Sequence, residues 1–202
     1  VEMPELQTGW NVFGYPLSSS RPISEALRSL AGVYSTIYAY DATSGAWLIH
    51  HPLAADDRPE MAGLVNDLDT LDFAQTYWIE FSEPITPYLP IEHLEAEQAI
   101  DVLELADPPL MPPATYFGSI RGADVAVDDP IVATVGDQVC GAGRVVALAG
   151  ELAYRVHVSA ATDTRACGAD GREVRFTIDD RELATAPWQG AGVHLLDLGD
   201  EQ

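Results

Sequence analysis

Lysine is missing from this 202-residue chain, and all ten basic residues are arginine. That absence excludes a lysine Schiff base, a phosphate-loop lysine and a lysine-derived isopeptide crosslink. Histidine is sparse, with five copies, and asparagine occurs only at Asn11 and Asn66, neither within an Asn-x-Ser/Thr acceptor. No Gly-x-Ser-x-Gly elbow is present to present a serine nucleophile. No apolar run approaches the length of a membrane span: the stretch from Val145 to Gly150 is closed off by Arg144 and Glu151.

Acid is what the chain has in excess. Thirty-two Asp and Glu against ten Arg give a net charge of −22. A field this negative repels nucleic acid and anionic lipid, so neither is expected as a partner, and no membrane insertion is expected. The charge is uneven. Residues 1–110 hold three arginines against eighteen acids, a net −15, and residues 111–202 hold seven against fourteen, a net −7. This difference supports a boundary near residue 110. The hydrophobic fraction of 47% and charged fraction of 21% are those of a folded chain rather than a disordered one.

The two cysteines, Cys140 and Cys167, each precede a glycine. An isolated pair in a strand-rich region reads first as a disulfide, and the other reading is two unpaired buried thiols. Closing a loop of that length stabilises a fold by about 3.5 kcal/mol on the chain-entropy model. Neither cysteine has a second ligand at zinc-site spacing. The chain starts at Val1 without methionine or leader, which reads as the mature end of an exported protein at the cell surface or beyond.

Along the chain, Trp10 to Leu17 reads as a strand. A short helix follows, with Ser20 as expected cap, Pro22 in the first turn and Gly32 as stop. Ile23, Ala26, Leu27 and Leu30 share one face at helical spacing. Tyr34 to Tyr40 and Trp47 to His50 predict a hairpin across the turn Asp41 to Gly45, and Tyr77 to Phe81 predicts a further strand. Residues 51–76 are a less regular, acidic excursion. Ile91 to Leu105 fits a helix or an edge strand. Pro108, Pro109, Pro112 and Pro113 then mark a linker. Beyond it, strands are expected at Thr115–Ile120, Pro130–Val135, Val139–Ala149, Ala153–Ala160, Glu173–Ile178 and Gly192–Leu198. The expected fold is mainly β: a β-rich module with one short helix over 1–107, a linker at 108–113, and an antiparallel β-sandwich over 114–202.

Gly9-Trp10-Asn11, Tyr15-Pro16-Leu17, Ile37 to Asp41, Trp47 and Tyr77-Trp78-Ile79 resemble a tryptophan-marked β-module of secreted, multi-module bacterial surface proteins. Cys140-Gly141, Tyr154-Arg155-Val156, Cys167-Gly168, Val174-Arg175-Phe176 and Trp188 resemble a small β-sandwich related in style to transthyretin-like and carboxypeptidase-regulatory modules. The resemblance implies a non-enzymatic protein, and its motifs are structural marks that carry over no catalytic residue.

Candidate chemistry is thin. His50-His51 are adjacent, so on a strand they point to opposite faces and do not converge on a metal. His93, His157 and His194 are isolated. Asp67, Asp69 and Asp72 resemble a calcium loop but place Leu71 and Asp72 where that loop needs an oxygen ligand and a glycine. Asp124, Asp128 and Asp129 form a second acidic loop, so these aspartates are weak Ca²⁺ candidates that read first as solvated turns. Trp10, Trp47 and Trp78 could line a sugar platform, but tryptophans at such points more often build a small module's core. No catalytic residue and no cofactor are expected. The expected role is a secreted, self-assembling structural subunit of a filament or surface layer, whose partner is a copy of itself joined by a terminal strand donated to a neighbour's sheet edge. The alternative is an adhesin or carbohydrate-binding module, stiffened by Ca²⁺.

Overall fold

The computed structural model describes residues 6–15, 17–54, 58–73, 75–85, 111–122 and 124–199. Expectations placed on 91–105, His93, Asp56, Asp57, Pro108, Pro109 and the chain ends lie outside the described residues. The chain divides into two compact units. One comprises Val1–His50 and Asp67–Leu110, the other His51–Asn66 and Met111–Gln202. A division read along the sequence alone puts 51–66 with the first module, whereas their packing puts them with the second. The fold is mainly β.

The first unit holds strands β1 (Gly9–Gly14), β2 (Arg21–Pro22), β3 (Tyr34–Asp41), β4 (Ala46–His50), β5 (Thr70–Leu71) and β6 (Thr76–Phe81). Four of them form an antiparallel sheet in the order β1-β6-β3-β4, and β2 pairs with β5. Side chains alternate across a strand, so the register puts Phe13, Tyr77, Ala39 and Leu48 on one face. That face packs against Ile23, Leu27, Leu30, Leu68 and Leu71. The helical segment is shorter than its periodicity predicts: α1 (Ile23–Ala26), followed by a 3-10 turn at Arg28–Leu30. Ser20 does not cap it. Pro22 occupies the cap position without a side-chain hydrogen bond, and the Ser20 hydroxyl donates to Asp72 instead (2.5 Å). All four apolar positions of the expected face are nonetheless buried. The β3–β4 turn forms as predicted, with the Asp41 carboxylate accepting the Thr43 N–H (2.9 Å) and the Ser44 hydroxyl (2.6 Å).

The second unit holds β7 (Ala114–Ser119), β8 (Pro130–Val135), β9 (Gln138–Leu148), β10 (Glu151–Val158), β11 (Glu173–Ile178), β12 (Arg181–Pro187) and β13 (Gly192–Leu195), in the order β12-β11-β8-β9-β10-β7-β13. Every pairing is antiparallel except β13, which lies parallel to β7. Strand β9 makes the layers. Its first half pairs with β8 and its second half with β10, so the sheet curls around a core of Tyr116, Ile131, Val145, Tyr154, Val156, Val174 and Phe176. Gly141 and Gly143 permit that crossing, because a Cβ at either would strike the backbone of His157 or Arg155 on β10. The curl nearly closes: the Gly199 N–H, past β13, reaches the Leu183 carbonyl of β12 (3.3 Å). Strand β12 is absent from the sequence-based reading. It follows the two-residue turn Asp179-Asp180, both with positive φ (46° and 63°), as a twisted hairpin demands.

Candidate functional site

Cys140 and Cys167 form a disulfide with Cα atoms 5.5 Å apart. It anchors the loop 159–172 to β9, and Arg172 reinforces the anchor by donating from Nη1 to the carbonyls of Ala166 (2.6 Å) and Cys167 (3.2 Å). Both cysteines are buried.

Several hydroxyls and one imidazole of the second unit are tied into its scaffold. Thr115 Oγ1 and His157 Nδ1 share a hydrogen bond of 2.8 Å between β7 and β10. A hydroxyl–imidazole pair is the start of a nucleophile–base arrangement, but Thr115 has no exposed surface, so no substrate carbon can reach it. The hydroxyls of Tyr154 and Tyr116 donate to the carbonyls of Leu196 (2.7 Å) and Pro187 (3.1 Å). Burial pushes the Tyr154 phenol far above its usual range, with the nearby Asp197 carboxylate adding to the effect.

Asp197 is held by two elements of the second unit. It accepts the Ser119 N–H and hydroxyl (both 2.8 Å) and the Arg58 guanidinium (2.7 Å). Burial raises its pKa, but these donors outweigh it and hold the group below the usual carboxylate value. Together with the Arg155 bond to the Leu64 carbonyl (2.7 Å), Arg58 fixes the excursion 51–66 onto the second unit.

The paired histidines separate in role. His50 is half-buried beside Tyr34, and burial lowers its pKa while Asp69 pulls the other way. The His51 backbone N–H is held by Asn66 (3.0 Å). Among the Ca²⁺ candidates, Asp67 accepts the Ile49 N–H (2.8 Å), Asp129 accepts the Ala126 N–H (2.7 Å) and Asp124 faces Arg181 (3.6 Å). Asp128 sits at positive φ (73°), its carbonyl accepting from Arg144. Among the described residues no three His, Cys, Asp or Glu side chains converge as a metal site would require.

Trp10, Trp47 and Trp78 do gather, with Tyr38 and Tyr40, on the face of the first sheet opposite α1. Trp47 meets Trp78 edge-on at 5.2 Å and Tyr38 at 5.9 Å, and Trp10 lies 5.7 Å from Tyr38 at 47°. Tyr38 and Trp78 are buried. Rings tilted this way pack well against one another.

Sheet edges remain. The Tyr15 N–H donates to the Gln75 carbonyl, which fixes the alternation along β1: Trp10, Val12 and Gly14 turn their N–H and C=O groups away from β6. Among the described residues no strand pairs with that side of β1, and Val12 is 43% exposed. The Asn11 amide donates to the carbonyls of Gln7 and Gly9. Sequence patterning locates such a strand but not its place at an edge, because edge and interior strands alternate alike. No protein-family model, curated protein or solved structure matches this chain.

Proposed function

We propose that this chain is a non-catalytic, extracellular structural protein that assembles with copies of itself into a filament or surface layer. The observation that carries this reading is the β1 edge, where three residues aim backbone donors and acceptors outward beside an exposed Val12. An incoming strand would satisfy those groups and cover the valine, which is the physical basis of strand addition. The disulfide supports an oxidising, extracellular location. The scaffold role of the Thr115–His157 and Ser119–Asp197 pairs supports a non-catalytic reading, as does the likeness of its motifs to surface-protein modules. The alternative, a carbohydrate-binding adhesin, draws its support from Trp10 and Trp47, which are only partly buried, and a glycan array tests it.

Val12→Pro tests the edge. Proline there removes an outward N–H without breaking a bond to β6, and edge strands tolerate such a residue. Electron microscopy and sedimentation over a range of concentrations should show polymers for the wild type and dispersed, folded Val12→Pro. A wild type that stays monomeric throughout overturns the reading; a Val12→Pro protein that polymerises normally overturns the role of this edge.

A further inference from the structure

The two edges of the first sheet differ. On β4 the outward groups of Ile49 are taken: its N–H donates to the Asp67 carboxylate (2.8 Å), and its carbonyl accepts the N–H groups of Asp67 and Leu68 (both 3.0 Å). On β1 the outward groups of Trp10, Val12 and Gly14 meet no strand among the described residues. That edge also lacks the usual guards. Gly9–Gly14 carries neither a charge nor a proline, the residues with which edge strands commonly prevent pairing.

The strand is complementary to itself when turned antiparallel. Outward residues exchange hydrogen bonds only with outward residues, so one register engages Trp10, Val12 and Gly14 together. It sets Val12 opposite the partner's Val12 and Trp10 opposite the partner's Gly14, each pair exchanging both N–H···O bonds. A slip of two residues brings into the ladder either Thr8, which lies in a bend outside β1, or Pro16, which has no N–H. Size fits as well. Among the described residues nothing lies within 4 Å of where a Cβ at Gly14 would stand, and Trp10 is only partly buried. Each indole therefore covers the other copy's bare glycine, the aromatic cover that compensates a glycine at a strand edge.

We infer that the strand entering the β1 edge is β1 of a second copy, joining two four-stranded sheets into one about a two-fold axis at Val12. This contact rests on the self-assembly proposed above and names the segment that makes it. Charge favours the seam. Each copy carries −22, so two copies come together only where acid does not face acid. No acid lies in β1. The acid of the adjoining strand, Glu80 opposite Trp10, falls in a row that runs through Trp10 to the partner's Gly14 and the partner's Thr76, away from the partner's Glu80. Paired residues keep to one side of an antiparallel ladder, so the faces bearing Trp10, Val12 and Trp78 become continuous and each Val12 is covered. A two-fold contact closes on itself, so the pair is the unit that a filament or layer repeats.

The test is a charge exchange at Val12 in the full-length chain. Val12 is exposed and the bonds to β6 are made by its neighbours, so Val12→Glu and Val12→Arg should both fold, as circular dichroism would verify. In this register each variant sets like charges directly opposite one another, so sedimentation should show the concentration for half-assembly rising about tenfold or more for either alone. An equimolar mixture sets opposite charges across the seam and should assemble within about threefold of the wild-type concentration. Val139→Glu, the same change at an exposed valine of the second unit, should shift that concentration less than about threefold. Variants that assemble as the wild type does, or a mixture no better than its separate components, would overturn the seam while leaving self-assembly standing. Val12→Arg assembling more readily than the wild type would do the same, by showing that an acidic segment rather than β1 takes the edge. A wild type that never assembles overturns both.

Discussion

The indole of Trp188 sits directly on the Cα of Gly168, occupying the space any other residue's Cβ would need. The backbone at Gly168 cannot retreat, because its N–H donates to the Ser159 carbonyl (3.0 Å) and its own carbonyl accepts the Ala161 N–H (2.7 Å). Tryptophan is thereby buried in the core of the second unit at the point where the disulfide enters it. Gly168→Ala forces either the ring or the loop to move, and overpacking of this kind costs roughly 1–3 kcal/mol. Denaturant unfolding of the variant should show that loss with the slope unchanged. A midpoint within experimental error of the wild type would mean that the ring has room the geometry denies it.

The disulfide makes a separate contribution. Cys140 and Cys167 are 27 residues apart, so reduction should return about 3.5 kcal/mol of loop entropy to the unfolded state. For a unit of this size that corresponds to a fall in melting temperature on the order of 15 °C. Because both cysteines belong to the second unit, unfolding followed by the fluorescence of Trp188 should shift on reduction. A reductant-insensitive transition would show that the loop is held by Arg172 and Trp188 alone.

Much of the scaffold is legible in the sequence because one face of each strand is buried. Val174, Phe176 and Ile178 alternate with exposed or half-exposed neighbours, and the period-2 pattern places β11 to the residue. The same is true of β8. Strand β12 escapes because its burial does not alternate: Arg181, Glu182 and Thr185 are exposed, only Ala186 is fully buried, and its turn is Asp-Asp rather than a glycine pair. The helix shrinks to a single turn because the backbone at Leu27 (φ −108°, ψ 20°) leaves the α conformation before a 3-10 turn, and Ser20 finds Asp72, a partner 52 residues away that no local pattern shows. The transfer of 51–66 to the second unit was hidden for the same reason. It depends on Arg58 meeting Asp197 and on Arg155 meeting the Leu64 carbonyl, contacts that span 139 and 91 residues.

The Arg58–Asp197–Ser119 centre gives the fold an acid-sensitive tie. Asp197 ionises more readily in the folded chain than at its ordinary value of 3.8, because Ser119 and Arg58 favour the charged form more than burial opposes it. Between the two values the unfolded chain therefore holds more protons, and stability rises with pH. The contribution is present in full above the ordinary value and is lost as pH falls through the lower folded one. Asp197 is partly open to solvent, so screening limits the effect, and Asp197→Asn should cost about 1 kcal/mol at neutral pH. Subtracting the variant's stability from the wild type's at each pH removes the protonation of the other acids. The difference should be flat from pH 7 to about 5 and should fall toward zero as pH drops below the ordinary aspartate value. A difference that stays constant down to pH 2 would assign the cost to lost shape rather than lost charge, and the excursion 51–66 would then owe its attachment to Arg155 and packing.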